Sequence, residues 1–183
     1  MTRLLRKRSA ALLLAASLGA TTLAHAQGAS GSGPHSGDAW VDGRLVDIGA
    51  YASTYRESFV DELARYHRAP RPLVAELLAR PGWTPGDVYF ACSLAMQAGR
   101  PCREVAEMHS AEPVRDWASV AASLGVSAGT PAFHRIKRDI VASYQRWARP
   151  VSVDDELAPD FPQRARATGG HPAKQASQIP PAG

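Results

Sequence analysis

Apolar residues recur along the middle of this chain at helical spacing. Tyr51, Tyr55, Phe59, Leu63 and Tyr66 follow one another at steps of four, four, four and three, which places them on one stripe of a helix running from about Asp47 to Arg68. Pro70 and Pro72 interrupt the pattern, and Leu73, Val74, Leu77 and Leu78 line a short second helix ending before Pro81-Gly82. Thr84-Pro85-Gly86-Asp87 reads as a helix start: a threonine cap, a proline suited to the first turn, and an acid able to bond back to the cap. That third helix should reach Ala98, with Gly99 as its left-handed terminator. A fourth begins near Pro101, with Cys102, Val105, Ala106 and His109 on one face, and a fifth carries Trp117, Val120, Ala121 and Leu124 up to Gly125. Thr130-Pro131 opens a sixth, with Phe133, Ile136, Ile140, Tyr144 and Trp147 as its inner stripe. Asp42-Gly43 is the one competing hairpin signal; a lone hairpin is marginal in water, so the segment is read as irregular. The expected fold is all-α, about six helices in a single compact orthogonal bundle.

The flanks differ from this core. Residues 1–26 have the form of a secretory signal peptide: Arg3, Arg6, Lys7 and Arg8, then an apolar stretch from Ala10 to Leu18, then Ala24-His25-Ala26 with small residues where a signal peptidase reads. Cleavage between Ala26 and Gln27 follows. The apolar stretch is shorter than the roughly 20 residues a membrane span needs, so no transmembrane anchor is expected after cleavage. Residues 27–37 (QGASGSGPHSG) form a Gly/Ser linker, 38–149 the helical domain, and 150–183 a tail rich in Pro, Ala, Gly and Gln that is read as disordered.

Export changes the meaning of the charge. The full chain carries 21 basic and 17 acidic residues. Four of the cations lie in the signal segment, so the mature chain is formally neutral and has no net charge to drive binding to nucleic acid. A helix-turn-helix reading of Trp117 to Ser127 followed by Arg135, Lys137 and Arg138 is thereby weakened, and Asp139 lies within the would-be recognition helix.

Cys92 and Cys102 are the only cysteines. In an oxidising compartment a disulfide is the default; two buried thiols, or a metal site with His109, are the alternatives. No motif for zinc proteases, phosphate loops or serine acylation is present, so no catalytic, cofactor or metal residues are assigned. Ser123 in Ala121-Ala122-Ser123-Leu124-Gly125 imitates a nucleophile elbow but follows a helix instead of a strand. Glu104, Glu107 and Glu112 could pair for acid–base work, although surface carboxylates are usually solvated, and His67 and His134 are lone histidines read as surface residues before bases.

The series Trp83-Thr84-Pro85-Gly86-Asp87-Val88, Gly99-Arg100-Pro101-Cys102 and Trp117 to Leu124-Gly125 resembles uncharacterised secreted bacterial helical proteins over about residues 48–150. The resemblance rests on turn and core positions and implies a fold without an activity. The leading expectation is a non-catalytic periplasmic or secreted protein binding another envelope component, an envelope protein or the cell wall. The alternative is a small envelope enzyme acting on cell-wall or peptide substrates; DNA binding ranks third. Intact-mass analysis of exported protein should give a mature chain starting at or within a few residues of Gln27. Retention of Met1 to Ala26 in a cytoplasmic fraction would overturn the export reading.

Overall fold

Gly86 has no room for a side chain: a Cβ there would stand 2.6 Å from the carbonyl oxygen of Leu45. That close approach joins the first and fourth of eight helices found among the described residues. The structure, a computed structural model, describes residues 34–111 and 116–169, with side chains to residue 165. The helices are α1 (Ala39–Thr54), α2 (Arg56–Tyr66), α3 (Arg71–Leu78), α4 (Pro85–Ala98), α5 (Cys102–Ser110), α6 (Trp117–Ser123), α7 (Pro131–Arg146) and α8 (Pro162–Gly169). The expected signal segment, its Ala26–Gln27 cleavage point, residues 27–33, Glu112 and the last fourteen residues lie outside the described part.

α4 is the axis of the bundle. Ten consecutive residues, Gly86 to Ala95, are buried, as expected of a helix surrounded by others on every side. Its ends follow the sequence reading. Thr84 Oγ1 accepts from the Asp87 amide while the Asp87 carboxylate accepts from the Thr84 amide, and Gly99 takes the left-handed conformation at φ 67°. α7 starts in the same way, with the Thr130 hydroxyl accepting from the Phe133 amide. Cys92 and Cys102 are bridged, their Cα atoms 4.5 Å apart, so α5 folds back against α4 immediately after the Gly99 turn. Bridged sulfurs leave no thiolate for a metal, which removes both the free-thiol and the Cys–Cys–His109 readings.

Three boundaries depart from expectation. The first helix is two. α1 begins at Ala39, with Asp38 capping the Val41 amide, and it absorbs Asp42-Gly43. The chain breaks at Tyr55, where ψ is 54°. Just upstream, the Ser53 hydroxyl donates to the Gly49 carbonyl, a back-bond that bends helices. The core stripe of α1 is Val41, Leu45, Ile48 and Ala52; of the expected aromatic stripe only Phe59 and Leu63 are buried, while Tyr55 and Tyr66 are exposed.

The linker and tail are also shorter than expected. Residues 34–37 are seated on the bundle: the His35 carbonyl accepts from the Ala118 amide at 2.9 Å, and Ser36 donates from both its amide and its hydroxyl to Asp42. Residues 151–161, expected to be disordered with the rest of 150–183, pack on the core, and Pro162–Gly169 of the same expected tail form α8. Leu157 is fully buried, Val151 nearly so, and Phe161 packs against the same cluster. The tail's low apolar content hid this, because three well-placed residues suffice where they fill an existing edge.

Candidate functional site

Lys137 lies on the apolar stripe of α7, four residues after Phe133 and four before Val141, and it is 1% exposed. A buried ammonium is costly unless carboxylates surround it. Three do. Asp38 from the α1 cap lies 3.0 Å away, Glu156 from the C-terminal segment 2.7 Å, and Asp154 is in direct contact. Burial pulls the Lys137 pKa down, but hydrogen bonds to Asp154, Glu156 and Asp38 outweigh it and hold the group charged. Oxygens of the three carboxylates lie within 4.8 Å of one another, a spacing suited to a metal ion, yet the ammonium supplies the cation there. Beside it, His134 faces Glu156 and Asp160, 2.8 Å from each.

A second polar group crosses the interior. Glu62 on α2 is 3% exposed and takes a two-pronged contact from Arg146 on α7. The Ser143 hydroxyl donates to Glu62 at 2.6 Å, so at 2.8 Å the Tyr89 hydroxyl is the donor to Ser143. The Arg146 guanidinium continues outward over the Tyr66 ring at 3.8 Å. His67, read from the sequence as a surface residue, is buried: it packs edge-on to Tyr89 at 4.7 Å, and among the described residues no partner meets its ring nitrogens in good hydrogen-bond geometry. Serine, glutamate and histidine are therefore neighbours, but the serine bonds the glutamate and not the histidine. Ser143 is fully buried, so no substrate reaches it; the group is a structural tie.

The surface offers a recess of about 190 Å³ whose lining includes Pro34, His35, Thr84, Asp87, His109, Asp116 and Trp117. Its back wall is aromatic. The His109 ring stacks on Trp117 at 3.9 Å and 7°, and Trp83 meets both rings edge-on. Its carboxylates are already used. Asp87 accepts from Trp117 Nε1 at 2.7 Å and from Thr84. Asp116 caps α6, accepting from the Ser119 amide and hydroxyl, and the Ser119 amide draws its pKa below the ordinary carboxylate value.

The other sequence candidates are dispersed. Glu107 pairs with Arg80 at 2.7 Å and Glu104 with Arg100, both on the surface. Ser123 donates to the Val120 carbonyl within its own helix. Of the cations proposed to meet phosphates, Lys137 is buried in its carboxylate cage, Arg135 donates to Gln97 and Arg138 faces Asp160. Asp139 accepts from Gln97, and burial raises its pKa. The sequence reading missed Glu62, Ser143 and the carboxylates around Lys137. The available signal was a charge inside an apolar stripe: Glu62 between Phe59 and Leu63, Lys137 between Phe133 and Val141.

No protein-family model, curated protein or solved structure matches this chain.

Burial holds the His67 ring neutral, its pKa pushed down to about 4 from 6.5. The unfolded state therefore binds a proton first as pH falls, and the folded state loses stability between about pH 6.5 and 4, by about 3 kcal/mol for a shift of this size. Urea unfolding of wild type and His67→Phe across that range should show the variant losing less stability on acidification. Parallel pH curves would refute the assignment.

Proposed function

We propose that this chain is an exported helical domain that works without turnover, by binding another component of the cell envelope at the recess between Pro34, Thr84 and Trp117. The observation that carries the reading is the recess itself. At about 190 Å³ it is smaller than the roughly 300–1,000 Å³ of small-molecule sites and suits a single projecting group of a larger partner. Its walls are preformed: stacked rings behind, and carboxylates held by helix-cap hydrogen bonds that leave them little freedom for proton transfer. Rigid aromatic walls around a pocket are also what protein interfaces use as anchor points.

Export is supported by the form of residues 1–26 and by compatibility with the structure. Cys92 and Cys102 are bridged, as suits an oxidising compartment, and no helix among the described residues is long and apolar enough to cross a membrane. DNA binding finds little support in α7, because its central lysine is spent inside the protein.

Site-specific photo-crosslinking in intact cells tests this reading. His35 lines the recess and its side chain is exposed, whereas Val46 is 59% exposed and does not line it. A photoreactive residue at position 35 should yield a discrete adduct that position 46 does not. An envelope protein would give a band of defined mass; a cell-wall partner would give adducts sedimenting with sacculi. Equal labelling from both positions, or none from position 35, would contradict the proposed surface.

A further inference from the structure

We propose that the segment 152–161 is a strap latched to α7 by the doubly protonated ring of His134, and that loss of that ring's proton opens its distal half. This inference does not depend on the recess or on what binds there.

The geometry requires the proton. His134 Nδ1 lies 2.8 Å from Glu156 and Nε2 lies 2.8 Å from Asp160. An ionised carboxylate only accepts hydrogen bonds, and a neutral imidazole has one N–H to give. Only the imidazolium can donate to both. Once deprotonated, one ring nitrogen must turn a lone pair toward a carboxylate, so an attraction becomes a repulsion.

The surroundings decide where the strap yields. On α7, Lys137 holds Asp154 and Glu156, and Arg138 faces Asp160 at 3.5 Å; Asp38 from the start of α1 shares Lys137. The carboxylates around Lys137 hold it charged, so the anchor at Asp154 persists. Among the described residues, the Asp160 carboxylate then keeps the longer contact to Arg138, and Glu156 keeps Lys137. Between these two carboxylates sits Leu157, fully buried, and just beyond them Phe161, packed on the core. Opening of this half uncovers both.

Hydrogen bonds to Glu156 and then Asp160 raise the His134 pKa above its ordinary 6.5, against a smaller effect of burial. A raised histidine stabilises the closed form fully below the unfolded-state value and loses that contribution as pH rises through the higher folded-state value. The latch is thus closed in acid and opens on the alkaline side.

Hydrogen exchange of the full mature chain, read on peptides covering 152–161 and corrected for intrinsic rates, tests the latch between pH 6 and 9. Protection should fall about fivefold across the His134 transition, the size of one net hydrogen bond, while α4 peptides keep theirs. His134→Gln should show the lower protection at every pH, with no transition. Constant protection in the wild type, or an unchanged transition in His134→Gln, would overturn the proposal. Should the variant fail to fold, ¹⁵N chemical shifts of the wild-type ring decide: both nitrogens protonated at pH 6 and a midpoint above 6.5 support the latch, and a midpoint at or below 6.5 refutes it.

Discussion

One buried ammonium brings the two ends of the folded domain together. Lys137 reaches Asp38, 99 residues before it, and Asp154 and Glu156, 17 and 19 residues after it. Asp38 is at once the cap of α1 and a ligand of the lysine, so the start of the first helix and the path of the C-terminal segment are fixed by the same charge. Trp40 reinforces the arrangement: its indole N–H donates to the Ser152 carbonyl at 2.9 Å, and its ring lies 5.6 Å from the Lys137 ammonium. The three carboxylates together offset the cost of desolvating the cation. At the start of α1 the contact demands one register, because the neighbours of Asp38, Gly37 and Ala39, carry no acid.

The Glu62–Arg146 pair works in the same way on α2 and α7. Both charges are needed; Ser143 donates to the carboxylate and in turn accepts from Tyr89. Polar ties of this sort specify which helices meet, whereas the apolar contacts around α4 supply most of the burial. The Cys92–Cys102 bridge adds a third constraint of a different kind. It closes a short loop in the unfolded chain, worth about 3 kcal/mol on the chain-entropy account, and it forces α5 back along α4. The recess at Trp117 lies where α6 and the residue 34–37 segment meet the Thr84 cap, so its shape follows from these constraints and needs none of its own.

Much of this fold was legible where local chemistry decides the outcome. Thr84-Pro85-Gly86-Asp87, Gly99 and Thr130-Pro131 announce helix ends through their own side chains and backbone preferences, and the structure places those ends as expected. The cysteine pair was legible from its number and from the compartment that residues 1–26 imply. The start of α1 was not, because its core stripe at Val41, Leu45, Ile48 and Ala52 contains no aromatic residue, while the neighbouring tyrosines mark a face that is largely exposed. The strap was illegible for another reason: it has no period, and what holds it is a set of carboxylates answering a lysine on another element. Nor could spacing show the recess, whose walls come from four separate parts of the chain.

The central claim is that Lys137 ties both ends at once, and native-state hydrogen exchange of Lys137→Met tests it most directly. Met keeps the length and apolar body of the stem but leaves three carboxylates without their cation. Protection should fall together in residues 36–42 and 152–161, with a loss of about 3 kcal/mol in global stability, the scale expected for breaking a buried ion pair, while the oxidised α4–α5 pair remains the best protected part. Loss confined to one end, or wild-type protection at both, would contradict the account.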